Sequence, residues 1–235
     1  MAIFVEMAGW GKYLPSQVLS NHDLEKMVDT SDEWIRTRSG ILQRRLVAEN
    51  ESTSTIATLA ARAALDRAGI APADLDLLIL ATATPDYPAI PATASVVQHA
   101  LGASNCGAFD LAAGCSGFVY GLVTASQFVL SGACRHVLLI GAEALSRVID
   151  WTDRATCVLF GDGAGAVVLR RSDREGGLLS FVLGSDGSGA EHLLIPAGGA
   201  LVPTTHETVH RRLHYLKMNG REVYKFASRI LPRAF

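Results

Sequence analysis

One cysteine of the sequence stands where its surroundings could make it a nucleophile. Cys115 follows an apolar stretch, residues 107–112, that predicts a short buried strand, and Gly114 allows a sharp turn between the two. From Cys115 to about Leu130 the apolar residues recur at helical spacing, which places the cysteine in the first turn of a predicted helix. Unpaired N–H groups and the helix dipole stabilise a thiolate at such a position. The predicted chemistry is covalent, with the sulfur attacking a carbonyl carbon.

The neighbours of this cysteine are compatible with that chemistry but do not require it. Small residues at 112–114 and 116–117 leave room for a substrate carbonyl to reach the sulfur. The competing interpretation is a buried structural cysteine, because free cysteines are among the most buried residue types. The local pattern alone leaves both interpretations open.

Two glycine-containing motifs lack the features of a dinucleotide-binding site and of a serine-hydrolase site. Gly161–Gly165 has the spacing G-x-G-x-G, which differs from the dinucleotide-binding pattern, and no helix is predicted directly after it. A tight turn joining two strands, Cys157–Phe160 and Ala164–Leu169, is predicted there instead. The cysteine turn also lacks the flanking glycines of a serine-hydrolase elbow.

Length and composition limit the classes of protein to consider. The 235 residues are 49% hydrophobic and 19% charged, which indicates a folded chain with a large core. A formal net charge of -2 offers no general attraction to nucleic acid or to an anionic membrane. The four cysteines form no C-x-x-C pair or zinc-like spacing, and the N-terminus has no secretion signal, so a cytoplasmic location is expected. No apolar run reaches the ~18 residues of a membrane span, so a soluble protein without a membrane partner is expected.

The hydrophobic pattern alternates between strands and helices. Strands are predicted at residues 2–9 (ended by Gly9 and Gly11), 75–81, 107–112, 137–141 and 178–184; helices are predicted at 21–28, from Ser31, at 51–68, 92–101 and 115–130, and from about Gly220. This alternation indicates βαβ units, an α/β fold and a mostly parallel sheet with helices on both faces.

The helix start at Thr30–Trp34 combines a capping hydroxyl with acids in the first turn. It brings one aromatic residue, Trp34, close in sequence to two cations, Arg36 and Arg38. Taken locally, this pattern is typical of an ordinary charged surface helix.

Four motifs, in this order and spacing, resemble the β-ketoacyl-acyl carrier protein synthase III family. They are the Cys115 elbow, the helix start at Thr30–Trp34, Phe160–Gly165 and Met218–Lys225, and the resemblance extends from Gly9 to Phe226. It implies a thiolase-like layered α/β fold made of two similar halves. Residues 1–171 would be the complete first half with the cysteine nucleophile, and residues 172–235 the start of a truncated second half.

The resemblance also implies a role for each matched residue. Cys115 would accept an acyl group from coenzyme A as a thioester, with no further cofactor and no metal. Trp34 and Arg154 would sandwich the adenine of coenzyme A. Arg38 would lie at the same mouth, where the coenzyme A phosphates and the acidic carrier protein approach.

Three further positions follow from the same resemblance. Thr30 and Gly220 match positions along the tunnel for the pantetheine arm. Ile90 lies near the position that reaches across a homodimer to close the acyl pocket of the partner. The second substrate would be malonyl-acyl carrier protein, and the reaction would start fatty acid synthesis.

The expected departure from the family concerns the condensation step. The family's His-Gln-Ala-Asn stretch and its later asparagine, which stabilise the carbanion, are expected beyond residue 235. His206, His210 and His214 are expected in a surface loop rather than as substitutes. Acyl loading without condensation is therefore predicted for these 235 residues. The alternatives are a related condensing enzyme of secondary metabolism and a non-catalytic fragment that dimerises or binds coenzyme A.

Overall fold

The structure, a computed structural model, describes residues 4–234. The strands are β1 (Phe4–Tyr13), β2 (Gln17–Ser20), β3 (Gln43–Leu46), β4 (Leu77–Ala81), β5 (Gly107–Leu111), β6 (His136–Ala144), β7 (Asp162–Ser172), β8 (Leu193–Leu194) and β9 (Lys217–Met218). The helices are α1 (Asn21–Glu25), α2 (Asp32–Ser39), α3 (Thr53–Ala68), α4 (Thr93–Leu101), α5 (Gly117–Leu130), α6 (Arg154–Cys157), α7 (His206–His210) and α8 (Gly220–Ala234). No helix among the described residues is long and apolar enough to cross a membrane.

The chain forms two compact units, each assembled from separate stretches of sequence. Unit 1 contains the described residues up to Gln17, together with Arg45–Ala144 and Asp162–Phe181. Unit 2 contains Val18–Arg44, Leu145–Gly161 and the described residues from Val182.

Unit 1 is built on a five-stranded sheet with the order β1-β7-β6-β4-β5. Strand β4 pairs in parallel with both β5 and β6, whereas β7 runs antiparallel to both β6 and β1. The prediction of a mostly parallel sheet is therefore wrong, and the sheet is mixed. The sequence could not distinguish the two cases, because a strand covered on both faces is apolar in either direction.

Helices cover both faces of this sheet. On one face, α3 and α4 pack against residues of β4 and β6 such as Leu78, Leu80 and Ile140. On the other face, α5 packs against the alternate residues, including Ile79 and Leu139. The two cores follow the period-two alternation of a strand, which sends neighbouring side chains to opposite faces.

Helix α3 lies unusually close to β1 because two strand residues have no side chain. A Cβ on Gly9 would overlap the carbonyl oxygen of Ala64, and a Cβ on Gly11 would overlap that of Ala60. The predicted end of the first strand at these glycines is therefore wrong, since β1 continues to Tyr13. The glycines permit close backbone approach inside the strand rather than a turn at its end. The predicted start of this strand, residues 2 and 3, lies outside the described residues.

Unit 2 is organised around a small apolar core beside the short helices α1, α2 and α6. Its buried members are Leu24, Ile35, Ile149, Cys157 and Val158. The predicted strand Cys157–Phe160 is wrong, because this stretch continues from α6, whose first N–H groups are capped by Asp153. The side chain of Asp153 accepts from the N–H of Ala155 at 3.0 Å, and its carbonyl accepts from the N–H of Cys157 at 3.0 Å.

Two other predictions of secondary structure differ from the structure. Residues 178–184 form no strand and are largely exposed, although their apolar side chains predicted a buried strand. The first helix begins at Asn21, with Ser20 as its N-cap, and ends at Glu25 rather than at the predicted residue 28. The predicted helix over 51–68, by contrast, is confirmed as α3, with Ser52 as its cap and Gly69 at its end.

We expect Gly11→Ala to lower the free energy of unfolding by about 1–3 kcal/mol, because the new methyl group would lie 2.5 Å from the backbone nitrogen of Ala64. Urea titration followed by circular dichroism measures the change. Gly199→Ala is the matched control, since no atom lies within 4 Å of its Cβ position, and it should change stability by no more than about 0.5 kcal/mol. Equal stabilities of the two variants would contradict the close packing of β1 on α3.

Candidate active site

The elbow around Cys115 has the predicted strand–turn–helix form. Strand β5 ends at Leu111, residues Gly114–Ser116 form a single 3₁₀ turn, and α5 begins at the next residue. Gly114 has φ of 51°, in the left-handed region that glycine adopts without a Cβ penalty. Cys115 therefore lies in the 3₁₀ turn directly before α5, which begins two residues later than predicted, and it is exposed.

The other three cysteines are in environments that disfavour a thiolate. Burial, reinforced by the nearby carboxylate of Asp76, raises the pKa of Cys106 to about 11. Burial also raises the pKa values of Cys134 and Cys157. Cys115 is thus the exposed thiol of the four, and the interpretation of it as a buried structural cysteine is wrong.

A carboxylate on β5 fixes the strand that leads to Cys115. Asp110 accepts hydrogen bonds from the backbone N–H groups of Thr93 at 2.8 Å and Ala94 at 2.7 Å, in the first turn of α4. The N-cap residue of α4 is Ala92, which offers no side-chain cap, so Asp110 supplies the negative charge that a helix N-terminus favours. This residue was missed from the sequence, where it lies inside an apolar stretch.

A second carboxylate holds the loop that precedes α4. Glu143, at the end of β6, accepts from the N–H of Ala83 at 2.7 Å and from the hydroxyl of Thr84 at 2.5 Å. Burial raises the pKa of Glu143, and the hydrogen bonds from the loop partly offset that effect. The loop carries Ile90, whose side chain is 87% exposed in unit 1. Glu143 therefore fixes the near end of the loop that presents Ile90.

In unit 2 the structure brings Trp34 and Arg154 together. The guanidinium carbon of Arg154 lies 4.7 Å from the centre of the Trp34 ring, a cation–π geometry. Ser31 caps α2 by accepting from the N–H of Trp34 at 3.1 Å, and Asp153 caps α6 directly before Arg154. Each partner is thus placed at the capped start of a helix.

The remaining predicted residues of unit 2 occupy different settings. Thr30 directly precedes the N-cap of α2, and its buried hydroxyl has no hydrogen-bond partner among the described residues. Arg38 is exposed in the last turn of α2, and Gly220 is exposed at the first position of α8.

The three histidines near residue 210 lie in more regular structure than predicted. His206 and His210 are the ends of helix α7, which Thr205 begins with a capping box. His214 follows this helix and contacts Tyr215, with 4.1 Å between the ring centres and the ring planes tilted by 41°. The prediction of a surface loop is wrong for His206 and His210. Across residues 4–234, no group of three or more His, Cys, Asp and Glu side chains is arranged to hold a metal ion.

Known proteins similar to this chain share its α/β thiolase-like architecture with a mixed sheet. The crystal structure of 3-oxoacyl-(acyl carrier protein) synthase III from Aquifex aeolicus superposes with a TM-score of 0.84 at 47% identity, covering 94% of this chain and 67% of that one. The priming β-ketosynthase of the R1128 polyketide pathway superposes with a TM-score of 0.85 at 36% identity, covering 95% of this chain and 66% of that one. The fold and these likenesses therefore place the chain among the thiolase-like condensing enzymes.

Sequence similarity defines the family more narrowly. The family model for 3-oxoacyl-(acyl carrier protein) synthase III matches residues 109–187, which include the elbow. The β-ketoacyl-(acyl carrier protein) synthase III of Caldanaerobacter subterraneus subsp. tengcongensis is 54% identical over 226 residues, covering 96% of this chain and 68% of that protein. This chain belongs to the β-ketoacyl-acyl carrier protein synthase III family.

We expect Cys115 to react first when the folded protein meets a limiting amount of iodoacetamide at neutral pH. The reason is its exposure, together with the burial that disfavours the thiolates of the other three cysteines. Peptide mapping by mass spectrometry identifies the labelled residue, and Cys115→Ala should remove the fast phase. First labelling of Cys106, Cys134 or Cys157, in protein shown to be folded by circular dichroism, would argue against the assignment.

Proposed function

We propose that Cys115 is the nucleophile of an acyltransferase that condenses an acyl-coenzyme A primer with malonyl-acyl carrier protein, the reaction that starts fatty acid synthesis. The observation that supports this most is the exposed sulfur at the elbow of a chain that belongs to the synthase III family. The sulfur attacks the thioester carbonyl, a new C–S bond forms to the acyl carbon, and coenzyme A leaves as its thiolate. The backbone N–H of Cys115 contributes to holding the oxyanion.

Coenzyme A is proposed to bind through its adenine to Trp34 and Arg154. The guanidinium of Arg154 faces the ring of Trp34, which supports this role because both groups suit a planar base, and the base would enter between them as the two side chains part. Thr30 and Gly220 are proposed to line the path of the pantetheine arm. Arg38 is proposed to meet the coenzyme A phosphates and the acidic carrier protein, which its exposed position permits.

The acyl pocket is proposed to be completed in a homodimer, with Ile90 of one subunit closing the pocket of the other. The exposure of Ile90 on a loop held by Glu143 supports this proposal. No cofactor beyond the coenzyme A thioester and no metal is required, and the proposed location is the cytoplasm. The division into halves at residues 1–171 and 172–235 stays a prediction about an internal repeat.

A second candidate function is priming in secondary metabolism. The likeness to the R1128 priming β-ketosynthase, at 36% identity, favours it. This second function would use the same cysteine chemistry with a different primer. Measuring which acyl-coenzyme A loads fastest onto Cys115 would therefore distinguish the two candidate functions.

We expect Trp34→Ala to weaken coenzyme A binding about two- to thirtyfold, the range of one cation–π or stacking contact. Isothermal titration calorimetry of the folded variant measures the change in Kd. Trp10→Ala is a matched control, because Trp10 makes the same kind of contact with Arg67, at 3.8 Å, on unit 1. An unchanged Kd for the Trp34 variant would remove this residue from the proposed site.

We expect the 235-residue polypeptide to gain a single acetyl group from acetyl-coenzyme A and to form no acetoacetyl product with malonyl-acyl carrier protein. Its sequence contains no His-Gln-Ala-Asn stretch, and catalytic residues that act as a unit fail together when one is lost. Intact-mass spectrometry detects the adduct, which Cys115→Ala should abolish. The condensed product is assayed separately.

Two outcomes would contradict this expectation in different ways. Measurable condensation would mean that other groups, such as His206, His210 or His214, supply the missing step. A folded chain that binds coenzyme A but gains no acetyl group would favour the alternative of a non-catalytic fragment.

A further inference from the structure

The backbone of unit 2 has one unusual conformation at Arg212. Its φ of 57° lies in the left-handed region, and it is the one non-glycine residue with positive φ in the part of the chain that the structure describes. This conformation closes helix α7: the N–H of Arg212 donates to the carbonyl of Val209 at 2.9 Å, and the N–H of Leu213 donates to that of Thr208 at 2.9 Å, the arrangement in which a left-handed residue ends a helix. The end of α7 therefore fixes the backbone from which the side chain of Arg212 extends.

The guanidinium of Arg212 forms a two-pronged ion pair with Asp150. Its Nε donates to Oδ2 of Asp150 at 2.8 Å, and its Nη2 donates to Oδ1 at 2.5 Å. Asp150 is 4% exposed, so the pair is largely shielded from water on the carboxylate side. The hydrogen bonds from Arg212 are the largest cause of the lowered pKa of Asp150. Lys217 adds a more distant cation, with its Nζ 3.6 Å from Oδ2.

The same carboxylate builds the turn that leads to Arg154. Asp150 accepts from the N–H of Thr152 at 3.0 Å and from its hydroxyl at 2.6 Å, and the carbonyl of Asp150 accepts from the N–H of Asp153 at 2.9 Å. Asp153 in turn caps α6, whose first residue is Arg154. A continuous series of hydrogen bonds thus connects Arg212, through Asp150 and Asp153, to the first turn of the helix that begins at Arg154.

A backbone hydrogen bond attaches the segment 212–217 to this turn at a second point. The N–H of Leu216 donates to the carbonyl of Val148 at 2.8 Å. The segment therefore contacts the chain before the turn through its backbone and the turn itself through Arg212. Two attachments restrict the turn at residues 150–153 more than a single attachment would. The direction in which Arg154 extends depends on this turn.

We infer that Arg212 and Asp150 are positioning residues that fix the turn from which Arg154 faces the ring of Trp34, so that the segment 212–217 sets the affinity of the protein for the nucleotide end of coenzyme A. This inference rests on the proposed role of Trp34 and Arg154. Arg212 acts through Asp150 and the turn, and it needs no contact with the ligand.

A stabilising ion pair alone would predict a different result. If Arg212 only stabilised unit 2, a folded variant would bind coenzyme A with unchanged affinity. The neighbouring Arg211 offers a matched control, because it pairs with Glu207 at 3.5 Å and both side chains are exposed. Arg212→Lys keeps the charge but loses the planar fork, whereas Asp150→Asn keeps the shape but loses the charge.

The test combines two measurements on folded variants. Titration calorimetry gives the Kd for coenzyme A. The indole N–H peak of Trp34 in a ¹⁵N–¹H spectrum of the free protein, assigned by its loss in Trp34→Phe, reports the stack without ligand. Circular dichroism and the Tm establish that each variant is folded at the temperature used.

We expect Arg212→Lys and Asp150→Asn each to weaken coenzyme A binding about three- to tenfold, a partial loss of one cation–π contact. Both should move the Trp34 peak towards its position in Arg154→Ala, and Arg211→Lys should change neither quantity. In the Arg154→Ala background, Arg212→Lys should cause no further weakening, because the residue that it positions is absent.

Each contrary result has a distinct meaning. An unmoved Trp34 peak together with an unchanged Kd in folded Arg212→Lys would overturn the inference. Full additivity with Arg154→Ala would also overturn it, because Arg212 would then act on the ligand independently. If Arg154→Ala leaves coenzyme A binding unchanged while the Arg212 variant moves the peak, the proposed binding site fails and the positioning role stands.

Discussion

The structure of unit 1 depends on one strand that is buried along its whole length. Every residue of β4 is buried, so its backbone N–H and C=O groups must be paired on both sides. Strands β5 and β6 satisfy this requirement, both parallel to β4, and their carboxyl ends therefore lie at the same edge of the sheet. The cysteine turn follows β5 at this edge, and Glu143 lies near the end of β6. The position of the cysteine turn therefore follows from the burial of β4.

Signals contained within a few residues were sufficient for much of the fold. Helix α3 could be predicted because Ser52 and Gly69 mark its ends, and the elbow at Cys115 because a glycine turn separates two different periodicities. Such local signals could not predict whether neighbouring strands run parallel or antiparallel. The predicted turn before Ala164 failed for a related reason, since Asp153 starts a helix in residues that have good strand character.

The residues that organise the candidate sites could not be identified from sequence, because each depends on a distant partner. Asp110 bonds to a residue 17 positions away, Glu143 to one 59 away and Asp150 to one 62 away. The sequence around such a carboxylate contains no pattern that identifies its distant hydrogen-bond partner. The proposed roles of Trp34 and Arg154 came from family resemblance alone, although the structure brings these two side chains into contact.

The sheet of unit 1 also has a consequence for synthesis on the ribosome. Its first strand has its pairing partner at the far end of the unit, with Phe4 opposite Ser172 and Tyr13 opposite Ala164. During translation β1 must therefore wait, unpaired, while about 150 residues emerge, since β7 is the last strand of the sheet to be made. Closing so long a loop carries an entropic cost before any contact offsets it, which slows folding. The edges of β1 thus stay unpaired for longer than those of the other strands of this sheet, and unpaired strand edges favour aggregation.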